Sequence, residues 1–327
     1  MDEVRILGAG IAGLCMATEL SNKGIPVRLE DHHPIPGAHA CSWWAGGMIA
    51  PWCEGESAEE PVVRLGAQSI GWWQSHTGLV KQNGSLVVAM DRDLRELDRF
   101  ARRTDHFERI AANQIDELEP DLAGRFRAAL FFADEAHLDP RKALQLLAYR
   151  LETNGIGIDQ VRHTEKTTID CRGLFARDAL QDLRGVKGEM LILRCPDVTL
   201  SRPIRLLHPR IPLYIVPRGD GVFMLGATML ESSDRNQITA RSLLEMLSAA
   251  YALHPAFGEA EILEIGVDAR PAFPDNLPRI RKRGRTIFAN GLYRHGFLLA
   301  PALARMTADY LLTGQPPEVM DENHIER

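Results

Sequence analysis

The chain lacks the cysteine pattern of a stapled or metal-built protein. Its five cysteines (Cys15, Cys41, Cys53, Cys171 and Cys195) form an odd set with no C-x-x-C pair in 327 residues. That excludes a disulfide framework and a zinc ribbon, and makes a reducing cytoplasm the default compartment. A surplus of positive charge is also missing: 38 Lys and Arg against 44 Asp and Glu leave a net −6. Nucleic acids and acidic membranes select basic surfaces, so neither is an expected partner. No H-x-H, H-E-x-x-H or clustered Cys/His pattern offers a metal site, and neither G-x-S-x-G nor a P-loop pattern occurs.

Long uncharged runs are scarce. The apolar stretch from Ile6 to Ala17 follows Asp2 and Glu3, where an export signal needs positive charge. Ile35 to Cys53 carries no charged residue apart from His39, but Pro36, Gly37, Gly46, Gly47 and Pro51 would strand backbone polar groups in lipid. This segment is expected to be a buried loop that lines a ligand. What remains is an ordinary balance, 45% hydrophobic and 25% charged, with length enough for one large domain or two interleaved ones.

The first thirty residues have a specific order. Val4 to Leu7 reads as a strand, Gly8-Ala9-Gly10-Ile11-Ala12-Gly13 follows at once, and Leu14, Ala17, Thr18 and Leu20 then recur at helical spacing up to Gly24. A second strand, Ile25 to Leu29, ends in Glu30 and Asp31. In this register Gly8 permits a tight turn, Gly10 lets the backbone approach a pyrophosphate, and Gly13 lets the helix lie close to the strand. The helix N-terminus receives the phosphates and Glu30 the ribose hydroxyls. The fingerprint indicates a dinucleotide without separating NAD from FAD.

Further along, Gly66 to Trp73 reads as helix, Ser85 to Ala89 as strand, and Asp93 to Arg103 as a charged surface helix. Asp139-Pro140 caps a helix that Asn154-Gly155 stops. Thr167 to Cys171 is a short buried strand. Tyr214 to Pro217 and Val222 to Leu225 flank a hairpin turn. Thr239 caps an amphipathic helix with Leu243, Leu244, Leu247 and Tyr251 expected on its buried face. Ile262 to Ala269 is a strand that Arg270-Pro271 should end. Thr286 to Ala289 is a strand running into Asn290 to Gly296, and a final helix follows with Pro301 expected in its first turn. A second glycine-bearing strand-to-helix turn so late in the chain makes the dinucleotide domain discontinuous.

Seven motifs in order carry a resemblance. They are Gly8 to Gly13 with Glu30, Ser42 to Pro51 (S-W-W-A-G-G-M-I-A-P), Val186 to Glu189, Tyr214 to Arg218 (Y-I-V-P-R), Gly226 to Met229, Arg270-Pro271, and Arg294 to Pro301 (R-H-G-F-L-L-A-P). Nearly the whole chain resembles the FAD-dependent D-amino-acid oxidase family, most closely its glycine oxidase branch in thiamine biosynthesis. Three departures accompany it. Gly155 to Thr167 is shorter than the hairpin usually found there, Asp268 replaces a small glycine, and Trp43-Trp44 is bulky where small residues prevail.

The resemblance implies an α/β fold: a discontinuous Rossmann-like FAD-binding domain (residues 1–77, 133–184 and 268–327) and an α+β substrate domain on an antiparallel sheet (78–132 and 185–267). It implies that FAD is held by Gly8, Gly10, Ile11, Ala12, Gly13, Glu30, Asp31, Cys41, Ser42, Gly46, Gly47 and Met48. Leu292, Tyr293, Arg294, His295, Gly296, Phe297 and Leu298 would lie along the flavin. The cofactor should be non-covalent, because the tethering cysteine of some relatives lies near the C-terminus and none follows Cys195 here. Arg270 would clamp the substrate carboxylate through its planar fork. Tyr214 would assist, Arg294 is the next catalytic candidate, and Met48 and Met229 would border the pocket. The implied reaction is oxidation of glycine or a similar small amine by O2. A D-amino-acid or sarcosine oxidase, a redox-silent flavin-binding subunit and an NAD-dependent dehydrogenase are the competing readings. A homotetramer is what the branch implies.

Overall fold

The computed structural model describes residues 2–161, 168–208 and 213–321. The first half contributes strands β1 (Val4–Leu7), β2 (Val27–Glu30), β3 (Met48–Ile49), β4 (Ser85–Ala89), β5 (Glu108–Ala111), β6 (Ala128–Phe132), β7 (Ala136–His137) and β8 (Ile158–Asp159). The second half adds β9 (Thr168–Asp170), β10 (Arg184–Arg194), β11 (Ile204–Leu207), β12 (Leu213–Gly219), β13 (Val222–Gly226), β14 (Glu261–Ala272), β15 (Arg279–Arg283) and β16 (Thr286–Asn290). The α-helices are α1 (Ile11–Asn22), α2 (Pro51–Glu54), α3 (Glu60–Gly66), α4 (Ser69–Thr77), α5 (Leu94–Ala101), α6 (Ala112–Leu118), α7 (Pro140–Thr153), α8 (Ala240–Leu253) and α9 (Gly296–Thr313). Among the described residues no helix is long and apolar enough to cross a membrane.

Two sheets organise the molecule. One has the order β15-β16-β9-β1-β2-β8 and is parallel except for the β15–β16 hairpin. Helix α1 lies on it, and α7 and α9 pack beside α1, burying Leu14, Leu20, Leu147, Leu299 and Leu303 against Ile6, Leu29 and Ile169. These short strands are not the continuous apolar runs usual for a doubly covered parallel sheet: β1 carries Arg5, β2 Arg28 and Glu30, and β9 Asp170. The other sheet, β14-β10-β13-β12-β11-β4-β6-β5, is antiparallel apart from the β4–β11 pair. This is the expected α/β architecture. Strands of the first sheet come from three separate stretches of the chain.

Some local expectations fail for identifiable reasons. The strand starting at Glu261 does not stop at Arg270-Pro271 but runs on to Ala272, with Pro271 opposite Gly185. It is an edge strand, where a missing N–H costs no ladder bond. The domain boundary expected at residue 268 therefore falls inside one continuous strand. The helix expected from Gly66 to Trp73 is split into α3 and α4, because Ser69 Oγ donates to Gly66 O at 2.7 Å and competes with the ladder. Helix α8 is capped by Thr239 as expected and packs Leu243 and Leu247 partly buried against the core, but its deepest apolar residues are Met246, Ala249, Ala250 and Leu253, and Leu244 and Tyr251 are exposed. It has apolar residues around most of its circumference, so periodicity alone does not select the face.

Pro301 lies inside α9 rather than in its first turn, since the helix already begins at Gly296. The proline has no N–H for the carbonyl of Phe297, four residues earlier. Trp73 supplies the missing donor: its Nε1 reaches Phe297 O at 2.7 Å. The shortened segment from Gly155 provides β8 at the sheet edge, and its residues 162–167 lie outside the described residues. The bulky Trp44 has its place because Gly266 leaves room for the indole, where a Cβ would come within 2.2 Å of Trp44 Cε3. Arg141 stacks over both Trp43 and Trp44.

Candidate active site

The turn after β1 is built for an anion. Gly8 has φ +94°, and a Cβ there would meet Cys171 O at 2.8 Å. At Gly13 a Cβ would stand 1.7 Å from Gly8 O, so the helix lies directly against the turn. Gly10, the N-cap of α1, lines a cavity, and a Cβ there would stand in ordinary contact with Ser42 Oγ at 3.7 Å. No side chain caps this helix and no acid occupies its first turn, so its N–H groups and dipole remain available. The hydroxyl of Ser42 is buried with no partner among the described residues. An orphaned donor beside an uncapped helix and a cavity-lining glycine fits a pyrophosphate.

Glu30 stands where the fingerprint places it and is buried. Arg5 Nη2 donates to its Oε2 at 2.7 Å, and Arg28 Nε lies 3.1 Å from Oε1. Each carboxylate oxygen can accept more than one donor, so the arginines orient the acid without closing it to a hydroxyl. Asp31 instead accepts the N–H of Ala9 at 2.6 Å and ties the turn to the end of β2.

From this end a single cavity of about 830 Å³ runs to the second sheet. It gathers every expected cofactor and pocket residue except Gly13, which serves the helix contact. Ile11, Ala12, Cys41, Ser42, Gly46, Gly47, Met48 and the backbone from Leu292 to Leu298 all line it. The uncharged loop is thus a ligand wall, although Ile35 at its start is exposed. Gly46 lies flat on the ring of Tyr214, where a Cβ would come within 2.8 Å. Burial next to Asp268 pushes the Cys41 thiol up to about 12, which leaves it a neutral wall group and no nucleophile. Asp268 is itself buried and paired with Arg235 at 2.6 Å. Burial raises its carboxyl and Arg235 opposes that rise. Arg235 also donates to His39 O at 2.8 Å, so the departure at 268 pins the loop to the sheet.

At the far end stand Arg270, Tyr214, Met229 and Arg294. The guanidinium of Arg270 lies over Gly188, where a Cβ would be 2.2 Å from Nη2, and its Nη1 donates to Thr228 O at 3.1 Å. Of the arginines lining the cavity, Arg270 alone makes no ion pair among the described residues. Arg5, Arg172, Arg205, Arg235 and Arg294 are each matched to a carboxylate. Arg294, the second expected catalytic arginine, is bound to Glu54 and to Ser57 Oγ. Sequence reasoning missed Glu54 and Arg205. Burial would raise the Glu54 carboxyl, but Arg294, Arg205 and the His295 hydrogen bond hold it well below the ordinary range. His295 is lowered by its burial, against the pull of Glu54. Its Nε2 lies 3.0 Å from the Glu54 carboxylate.

A dinucleotide cradle opening into one cavity, with an arginine on its wall that makes no ion pair among the described residues, points to a dinucleotide-dependent oxidoreductase. The chain belongs to the DAO family of FAD dependent oxidoreductases, whose model matches residues 3–310. A Rhizobium etli chain named as the thiamine biosynthesis oxidoreductase ThiO is 55% identical over 325 residues, covering 96% of this chain and 98% of that one. The glycine oxidase of Bacillus licheniformis is 25% identical, covering 95% and 93%. The crystal structure of glycine oxidase from Geobacillus kaustophilus shares the fold with a TM-score of 0.79 at 20% identity, covering 98% and 97%. The protein is a flavoenzyme that uses FAD.

Proposed function

We propose that the protein oxidises glycine, and small amines such as sarcosine or D-alanine, with O2. Glycine, O2 and water become glyoxylate, ammonia and hydrogen peroxide, by way of an imine. The reading that supplies this imine to thiazole formation in thiamine biosynthesis is supported by the 55% identity to a ThiO chain. One observation carries the substrate class: Arg270 is the cavity's arginine without a carboxylate of its own among the described residues. A planar fork left open in a buried site is suited to a carboxylate, which it binds bidentately and orients.

Gly8, Gly10, Ser42, Glu30 and the start of α1 are the residues that would hold FAD. Bound there, FAD would supply the two-electron oxidant for the substrate's α-carbon. The remaining work belongs to the chain. Arg270 fixes the carboxylate and the Tyr214 hydroxyl adds a second contact, which together restrict how the α-carbon can lie. Arg205 and Arg294 against Glu54 leave one surplus positive charge on the wall. That charge disfavours an ammonium beside it and so keeps the amine nitrogen unprotonated, as loss of hydride from the adjacent carbon requires. Met48 and Met229 limit the space beyond. FAD is held without a covalent bond in this reading, and acid denaturation releases it intact.

The test is an absorbance spectrum of the purified protein before and after anaerobic glycine. A yellow protein that bleaches, and recovers with peroxide formation when air is admitted, supports the reading. A yellow protein indifferent to glycine, sarcosine and D-alanine removes it.

A further inference from the structure

Arg205 on β11 and Arg294 in the turn before α9 converge on one carboxylate, that of Glu54 at the end of α2. Arg205 Nη2 donates to Oε1 at 2.9 Å, while Arg294 Nη2 and His295 Nε2 both reach Oε2. The rest of the Arg294 fork is engaged as well. Nη2 also meets Ser57 Oγ at 2.8 Å, Nε lies 3.3 Å from His295 Nε2, and Nη1 is 3.5 Å from the sulfur of Met229. Glu54, Arg205 and Arg294 line the same cavity as Arg270 and Tyr214. The cavity therefore contains two places for an anion. One, at Arg270, is open; the other is filled by a side chain of the protein.

We propose that Glu54 determines the charge selectivity of the site, by occupying the second anion position and so excluding substrates that carry a carboxylate beyond the one held by Arg270. A second carboxylate entering here would find most of the arginine donors already spent on Glu54. That is discrimination by withheld partners. Replacing Glu54 with a neutral group of the same shape releases Arg205 and Arg294 to a substrate's distal anion. The turnover part of the inference rests on the amine oxidase reading; the binding part rests on the cavity alone.

Two isosteric pairs cancel the effect of size. D-Asparagine and D-aspartate differ only in the charge of the distal group, as do the competitive ligands succinamate and succinate. With the FAD-loaded enzyme, kcat/KM for the first pair and Kd for the second, read from the perturbed flavin spectrum, give two independent charge-preference ratios. The wild type should favour the amide of each pair. Glu54→Gln should move both ratios towards the dianion by roughly 10- to 100-fold, the worth of one or two charge-assisted bonds. Adding Arg294→Gln to Glu54→Gln should take most of that gain away again. A purely structural role for Glu54 would change rates or flavin content but not these ratios.

Ratios that move by less than about twofold overturn the proposal. If neither amine is oxidised while the Kd ratio shifts as expected, the amine oxidase reading fails and the selectivity assignment stands. Should Glu54→Gln not fold, Arg294→Gln alone decides: it leaves Glu54 more exposed in charge and should lower the preference for the dianion further. An unchanged ratio there also overturns it.

Discussion

Gly188→Ala is the sharpest test of how the proposed carboxylate clamp, Arg270, is positioned. The added methyl would stand 2.2 Å from Arg270 Nη2, 2.4 Å from Cζ and 2.6 Å from Nη1. Non-bonded contact between such atoms begins near ~3.5 Å, so the guanidinium must retreat by roughly 1 Å or more. The obstacle is the end of a flexible side chain rather than backbone, so the fold can yield at modest cost. A displacement of about 1 Å in a positioning group costs on the order of 100-fold in rate. We expect kcat/KM for glycine to fall by that order, with flavin content and Tm close to wild type. Arg270→Ala, which removes a charge-assisted pair worth ~2–5 kcal/mol, should cost roughly 30- to 3,000-fold. Because both changes act through one guanidinium, Gly188→Ala introduced into Arg270→Ala should cost almost nothing more. Steady-state kinetics on flavin-normalised enzyme, for the two single variants and the double, completes the cycle. Additive losses, or a Gly188→Ala enzyme within about threefold of wild type, would refute the argument that Gly188 makes room for the clamp.

Gly10→Val places a branched side chain in the space above the uncapped end of α1 and should abolish flavin retention; a folded variant with full flavin content would count against the cradle. Trp73→Phe removes the donor to Phe297 O that Pro301 cannot replace and should lower stability by about 1–3 kcal/mol, visible as a drop in Tm, whereas an unchanged Tm would mean the carbonyl finds another partner. Glu135 makes stability depend on pH: burial pushes its carboxyl up to about 7, against the Ser85 hydroxyl and the Cys53 N–H. The folded state then keeps a proton that the unfolded chain has released above its ordinary 4.5, so stability falls as pH rises from there through 7, by roughly 3 kcal/mol. Urea unfolding at about pH 5 and about pH 8 should show a clearly smaller loss for Glu135→Gln than for the wild type, and equal losses would refute the assignment.

What can be read from the chain is what local order encodes. The β1–α1–β2 unit is a single covalent stretch in which each glycine has its own steric duty, and the structure places Gly8, Gly10 and Gly13 accordingly. Arg270 and Tyr214 are reachable only through the ordered motifs they belong to, because an arginine next to a proline has no local signature of a clamp. Glu54 and Arg205 are illegible for a plainer reason. They are 151 positions apart, one ending a single helical turn and the other in a strand, and only tertiary packing brings them to 2.9 Å. The face of α8 is only half legible: Leu243 and Leu247 pack partly buried against the core as expected, but Met246, Ala250 and Leu253 take the deepest positions and Leu244 and Tyr251 turn outward. Locating the centre of the buried face takes the sheet that covers it. Pro301 reads as a helix start because its compensating donor, Trp73, is 224 residues upstream of the carbonyl it serves.

The first sheet takes β1 and β2 from the opening thirty residues, β8 and β9 from the middle, and β15 and β16 from near the end of the chain. On a ribosome, β1 therefore emerges long before β9, the neighbour that closes its second edge, and β9 in turn waits for β16. Parallel pairs of this separation form late, after the loop entropy between them has been met. The nascent chain consequently carries an intact phosphate-binding sequence with no finished site around it, and exposed strand edges that a chaperone would have to guard. Cofactor capture becomes a post-synthetic event that locks the three stretches together. A chain interrupted before Arg279 would retain every residue of the glycine fingerprint and still emerge colourless.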